Sequence, residues 1–256
     1  MIKVSLATKI HTKKRESFRL FDKEVRDAIK DLDVSISAVI FEEAGYVTIS
    51  LKGDDEIAAA NYLTSLYGKR ANLGELKEGD IVKGYICSSG KVGFGIFVDI
   101  GIKEPYAVDA LLPMYALREQ LTESKKVPVR KIIDSFGLVN NIPLELTIVK
   151  ASIGLKKIEA KLSQNQLELF ERWMEESLDR LYIVGAFENE IENALTSTNH
   201  EKDIISIEKL GWMENIISCK FNTSAKGLIP ILGRVLPKAK FEIFSPSRIK
   251  KVLKEN

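Results

Sequence analysis

The chain has 256 residues with 45% hydrophobic and 29% charged side chains, and a formal net charge of +2. That length predicts more than one core, the composition argues against wholesale disorder, and so small a net charge names no partner, so local clusters have to be read instead. The two cysteines, Cys87 and Cys219, sit in apolar runs with no Cys or His at metal-ligand spacing, which argues against a disulfide or zinc framework and predicts two core residues.

In chain order, residues 2–10 alternate as a strand, and Phe18, Phe21, Val25 and Ile29 recur at helical spacing over 16–31. Val34–Phe41 and Tyr46–Leu51 form a hairpin pattern around Glu42-Glu43-Ala44-Gly45. Asp54 or Asp55 is expected to cap a helix through Ile57, Ala60, Leu63 and Leu66 that Gly68 ends. This order predicts an N-terminal α+β domain over residues 1–72.

From Ile81 the pattern is strand-dominated. Ile81–Cys87, Phe94–Ile100 and Ala107–Leu112 read as strands, then a short helix near Met114–Gln120, then the alternation Ile142, Leu144, Leu146, Ile148, and last Lys156–Leu162. Five short strands with a helix between the third and fourth is the order of an OB-type β-barrel, here over 77–163, with a basic insertion at 122–141 that carries Lys125, Lys126, Arg130 and Lys131. Residues 164–182 follow as a connecting amphipathic helix with Leu167, Phe170, Trp173, Met174, Leu178 and Leu181 on one face. Residues 187–256 predict a C-terminal α+β domain: a helix over Phe187–Leu195, a hairpin of Asp203–Leu210 and Asn215–Phe221 across Gly211-Trp212-Met213-Glu214, a helix from Pro230, a strand over Lys238–Phe244, and a basic helix opened by Ser245-Pro246. The expected fold class is therefore α+β multidomain, a central five-stranded barrel flanked by two small α/β sandwich domains.

The segment Gly79–Gly101 says most about chemistry. Its Phe94-Gly95-Ile96-Phe97 run can offer rings to nucleobases, because every base has a π-face on which a ring can stack. The two phenylalanines are three apart, so a regular strand sends them to opposite faces; both face solvent only if Gly93 or Gly95 permits a bulge or the strand starts after Phe94. Lysines nearby would add a salt-sensitive phosphate contribution. Two further basic clusters, Lys9, His11, Lys13, Lys14, Arg15, Arg19 and Arg234, Lys238, Lys240, Arg248, Lys250, Lys251, Lys254, either extend a phosphate track or are solvated faces. The only histidines, His11 and His200, lie far apart without a nucleophile, and neither a P-loop nor a complete dinucleotide fingerprint is present. No catalytic residue, metal ligand or cofactor is expected, and the chain reads as a non-enzyme.

GDIVKGYI, GFGIFVDIG, DALLP and KKIEAKLS together resemble the RNA-binding OB repeat of ribosomal protein S-one, over about residues 77–163. That resemblance implies stacking by Phe94 and Phe97 beside Lys83 and Tyr85. With Lys91, Lys156 and Lys157 these form the expected nucleic-acid-binding surface. Pro113 stands where the repeat has a polar residue, and Lys156 or Lys157 where it has an arginine, which removes a planar bidentate group. Over nearly its whole length the chain also resembles an archaeal family, domain of unknown function twenty-one-ten, through DIISIEKLGWMENIISCKF and GLIPILGRVLPKAKFEIF. The function expected is binding of ribosomal or other structured or single-stranded RNA in translation or RNA metabolism. The alternative is a protein–protein adaptor of the ribosome or transcription machinery that uses the barrel as scaffold. No apolar stretch approaches membrane-spanning length and the N-terminus lacks signal-peptide order, so no membrane partner and a cytoplasmic location are expected.

Overall fold

The computed structural model describes residues 1–11, 15–90, 92–152, 154 and 156–255. It is a mixed α+β molecule with one closed five-stranded barrel and two further sheets. The first sheet holds β1 (Ile2–Lys9), β2 (Val34–Phe41) and β3 (Tyr46–Gly53) in the order β1-β3-β2, all antiparallel, with α1 (Arg15–Ala28) and α2 (Glu56–Tyr67) alongside. Gly68, at φ 77°, does end α2, where its N–H reaches the Thr64 carbonyl. Asp55 does not cap that helix through its side chain; its carboxylate accepts the Asp33 N–H at 2.8 Å, tying the start of α2 to the turn before β2.

The barrel is built from β4 (Ile81–Ser88), β5 (Gly95–Asp99), β6 (Ala110–Pro113), β7 (Pro143–Ser152) and β8 (Lys157–Leu162), in the closed order β4-β5-β6-β8-β7. Alternate residues such as Val82, Ile86, Ile96, Val98, Leu112 and Leu146 fill its interior, as the period of two requires. Between β6 and β7 lie α3 (Met114–Leu121) and α4 (Val129–Phe136). The basic insertion is thus no bare connection. Val129, Ile132, Ile133 and Phe136 are buried at helical spacing against the barrel core, while Arg130 and Lys131 face solvent.

The connecting helix is shorter than its apolar face suggests. α5 spans Gln164–Glu176, Ser177 turns the chain at φ 54°, and a strand that alternation does not reveal, β9 (Arg180–Val184), follows at once. All five residues of β9 are buried, because it is an inner strand of a sheet ordered β10-β11-β9-β12, with β10 (Ile204–Lys209), β11 (Glu214–Cys219) and β12 (Lys240–Phe244). Leu181 and Ile183 pack beneath α6 (Glu188–Ser197) and α7 (Ala225–Val235), whereas Tyr182 and Val184 join the barrel's core, so both phases of the alternation are apolar. The buried Arg180 stitches the helix-to-strand switch. Its guanidinium donates to the carbonyls of Trp173 and Leu178, at 3.3 and 3.1 Å, and to the Glu176 carboxylate. Pro230 lies inside α7 rather than at its first turn. The C-terminal α8 (Pro246–Glu255) opens at Ser245-Pro246 as its sequence predicts and packs on α4.

The three sheets share cores. Phe136, Phe170, Trp173, Tyr182 and Phe244 form an aromatic cluster between the barrel and the C-terminal sheet, with Phe170 stacked on Phe244 at 5.9 Å and Trp173 edge-on to Phe244 at 5.1 Å. Trp212, in the β10–β11 turn, leaves its own sheet to pack edge-on against Phe21 of α1 at 5.1 Å, and its indole N–H donates to Glu24. Among the described residues no helix is long and apolar enough to cross a membrane.

Candidate nucleic-acid interface

Two glycines set the geometry of the β4–β5–β6 surface. A Cβ on Gly84 would meet the Asp99 carbonyl oxygen at 2.7 Å, and one on Gly95 the Leu112 carbonyl oxygen at 2.4 Å, so both mark close backbone approach between strands. β5 begins at Gly95, one residue after Phe94. Phe94 therefore sits in the turn and escapes the alternation that would have sent it inward, while Phe97 points outward from the strand between buried Ile96 and Val98. The rings meet edge-to-face, 6.1 Å apart and at 87°, and Phe94 is 55% exposed.

Pairing register extends this surface across the barrel. Ser88 lies opposite Phe97, Phe97 opposite Leu111, and Leu111 opposite Glu159. From α3 the exposed Tyr115 donates its hydroxyl to the Glu159 carboxylate. Tyr115 and Leu111 escaped the sequence reading, although the helical spacing of buried Ala116, Leu117 and Leu121 marks Tyr115 as outward-facing. Cys87 is not a core residue: it lies half-buried on this outward side, and its thiol donates to Asp109 at 3.4 Å. Burial first, then the Asp109 charge and its hydrogen bond, push the Cys87 thiol up to about 12. Cys219 is fully buried.

The lysines divide. Lys157 opens β8 on the exposed face, two residues before Glu159. Lys156 holds its ammonium over the Tyr106 ring, 4.9 Å from the centroid. Lys91 lies outside the described residues, as do Lys13 and Lys14 of the N-terminal cluster. Lys83 and Tyr85 do not share the aromatic surface. Lys83, opposite Glu145, lines a hollow with Tyr67, Pro143, Lys209 and Trp212, where all three sheets meet.

Tyr85 is 4% exposed, so its ring offers no face to a ligand. The N-terminal sheet docks on that part of β4: the Lys9 N–H donates to the Tyr85 hydroxyl at 3.2 Å, and the His11 ring lies edge-on at 5.0 Å. Burial, then the nearby Glu214 charge, raise the Tyr85 hydroxyl well above its ordinary pKa.

The same docking engages Lys9 and His11 of the N-terminal basic cluster, while Arg15 and Arg19 stay exposed on α1. Lys9 pairs with Asp99 at 2.6 Å, and the His11 Nε2 lies 3.2 Å from the buried Glu214 carboxylate without a hydrogen bond between them. Beside them Tyr46 donates to the Asp99 carbonyl at 2.9 Å, and Arg70 donates to the Gly101 carbonyl. Glu42 receives both Arg70 and Lys103, the latter at 2.7 Å. Burial opposes its ionisation, yet the hydrogen bonds from Lys103 and Arg70 outweigh burial and hold its pKa below the ordinary value. A hollow of about 770 Å³ runs past these groups between the N-terminal sheet and the barrel. Arg70, Lys103 and Lys69 along it are already paired with Glu42 or Glu75, so it reads as a polar seam between domains. Among the described residues no cluster of His, Cys, Asp or Glu could hold a metal ion.

Comparison with known proteins gives a consistent family match. A model of the DUF2110 N-terminal domain matches residues 3–72, one of the DUF2110 central domain residues 76–174, and one of the DUF2110 C-terminal domain residues 178–244. No curated protein matches the chain in sequence. Among solved structures, the uncharacterized protein MJ1198 of Methanocaldococcus jannaschii is similar at 14% identity and a TM-score of 0.24, over 35% of this chain and 96% of that one. The intact alpha subunit of aIF2 from Pyrococcus abyssi is similar at 12% identity and a TM-score of 0.26, over 66% and 97% of the two chains. The a/eIF2alpha-aDim2p-rRNA complex from Pyrococcus horikoshii is similar at 14% identity and a TM-score of 0.25, over 49% and 65%.

Proposed function

Because this chain belongs to the DUF2110 family, with the three domains of that family in order along it, we propose that the assembled molecule is a cytoplasmic RNA-binding protein that acts by binding rather than catalysis. Its barrel is read as OB-type: the order β4-β5-β6-β8-β7, the parallel β6–β8 pair and α3 after the third strand fit that topology. RNA is the ligand, in translation or RNA metabolism.

The observation that carries this reading is the Phe94–Phe97 pair, two rings at right angles on the outer face of the barrel. One base stacks on Phe94 and the next on Phe97, with Leu111 and Tyr115 extending the platform and Lys157 adding charge beside it. Clustered apolar side chains on a surface suit an interaction site, and stacking is tolerant of sequence.

Anisotropy of labelled single-stranded RNA, with matched DNA as a control, tests it. Stacking contributes about 1–3 kcal/mol per base, so Phe94→Ala should raise the Kd for RNA about 5- to 150-fold while the protein stays folded. Unchanged affinity in the folded variant removes Phe94 from the site.

A second reading is a protein adaptor, favoured by the Glu159 carboxylate, which lies opposite Leu111, accepts the Tyr115 hydroxyl and suits a peptide better than a polyanion. The adaptor predicts nuclease-resistant association with little salt dependence. RNA binding predicts nuclease sensitivity and a steep salt slope.

A further inference from the structure

The insertion after α3 and the C-terminal helix are more than a hundred residues apart in sequence, yet they form one ridge. α8 packs on α4, with Ile249 buried in the barrel's core cluster and Val252 and Leu253 packed against it. Lys125, just before α4, donates its ammonium to the Leu253 carbonyl in the last turn of α8, where the helix dipole favours a cation. The apolar sides of both helices are spent on this packing. Arg130 and Lys131 on α4, and Arg248 and Lys254 on α8, are left exposed to solvent, with one exposed carboxylate, Asp134, among them on α4.

The ridge meets the aromatic pair. A hollow of about 360 Å³ is lined by Gly90 and Gly93 of the β4–β5 turn and by Arg118 and Arg130. Gly93 immediately precedes Phe94. A Cβ added at Gly90 or Gly93 would meet nothing within 4 Å, so the turn is open on that side and a backbone can lie close to it. Arg118 is fixed by its hydrogen bond to the Val127 carbonyl at 2.7 Å, which holds the segment leading into α4 against α3.

Resting on the reading of Phe94 and Phe97 as a stacking platform, we propose that the bound RNA strand continues past Phe94, across the Arg118–Arg130 hollow and along the α4–α8 ridge. There the basic side chains hold its phosphates without regard to base identity. Charge complementarity favours a polyanion on the ridge, and continuity with the rings favours the same strand over a separate partner. The C-terminal helix is then part of the RNA site.

Two charge-reversal pairs test this, Arg130→Glu with Lys131→Glu and Arg248→Glu with Lys254→Glu, beside Phe94→Ala. Each is titrated with unstructured RNAs of about 5 and about 20 nucleotides, the first within the site size of one barrel and the second beyond it. Each reversal pair should weaken the longer RNA tenfold or more. It should also lower the magnitude of its log–log salt slope by about 1.4, the value for two phosphate contacts on a single strand. The short RNA should stay within twofold, and Phe94→Ala should weaken both. If the longer RNA keeps its affinity and slope in both reversal pairs while Phe94→Ala still weakens it, the ridge is refuted and the stacking site stands. Equal losses on short and long RNA in folded variants also refute a distal segment. Failure of the wild-type protein to bind either RNA overturns both readings. Should reversal prevent folding, the corresponding pairs of Gln substitutions carry the same test, with the slope change expected in the same direction.

Discussion

Tyr85 separates a role in binding from a role in assembly. The residue is 4% exposed, its ring lies edge-on to His11 at 5.0 Å, and its hydroxyl oxygen accepts the Lys9 N–H at 3.2 Å. Truncating a buried aromatic side chain to alanine costs about 3–5 kcal/mol. At about 2–4 °C per kcal/mol for a chain of this size, Tyr85→Ala should lower Tm by roughly 6–20 °C. Tyr85→Phe keeps the packing and removes only the acceptor, leaving a backbone N–H without its partner at a cost of about 1–3 kcal/mol, so its Tm should fall by no more than about 12 °C. RNA affinity of the folded Tyr85→Phe protein should stay within twofold of wild type, because the side chain has no accessible face. Calorimetry and anisotropy on the same preparations read both quantities. An unchanged Tm in Tyr85→Ala would refute the docking described for β4. A tenfold loss of RNA affinity in Tyr85→Phe with a near-native melt would return Tyr85 to the binding surface.

The polar seam and the strand glycines give two further tests. Glu42 has a depressed folded pKa, so its contribution is complete above the ordinary carboxylate value of about 4.3 and is lost as pH falls through the lower folded value. Glu42→Gln should therefore cost about 1.5–3 kcal/mol at pH 7, and its Tm deficit relative to wild type should shrink in melts below about pH 4; a deficit independent of pH would show that Glu42 acts through packing. Gly95→Ala must displace the Leu112 carbonyl, since its Cβ would lie 2.4 Å away, and should cost about 1–3 kcal/mol in chemical denaturation. Gly93→Ala, in open space, should be neutral, and equal costs at the two positions would contradict the strand spacing.

Much of this fold can be read from local pattern. The barrel strands announce themselves by alternation because one face of each is buried and the other is wet, and α8 by its Ser-Pro opening. β9 hides for the opposite reason. Leu181 and Ile183 face one core and Tyr182 and Val184 another, so these four residues show no polar–apolar alternation, and Leu178 and Leu181 continue the helical spacing of α5. Ser177, the residue that ends α5, is an ordinary serine in a left-handed conformation, where glycine would have signalled the stop. At the candidate site, the Phe94–Phe97 pairing depended on where β5 begins, one residue of register that spacing alone leaves open. Tyr85 was legible as a strand residue, but what covers its outer face comes from β1 and the segment after it, more than seventy residues earlier. No pattern within the strand encodes that contact.

The Trp212 excursion changes what counts as a unit in this molecule. Trp212 and Met213 belong by sequence to the C-terminal domain, yet they complete the apolar interior of the N-terminal one, while Tyr182, Val184, Ile216, Phe244 and Ile249 complete that of the barrel. Cut out at its family boundaries, the first domain would carry a hole where an indole belongs, and the barrel would bare an aromatic flank to water. Three modules are visible in the sequence, but the last to be synthesised supplies the closing pieces for the two before it.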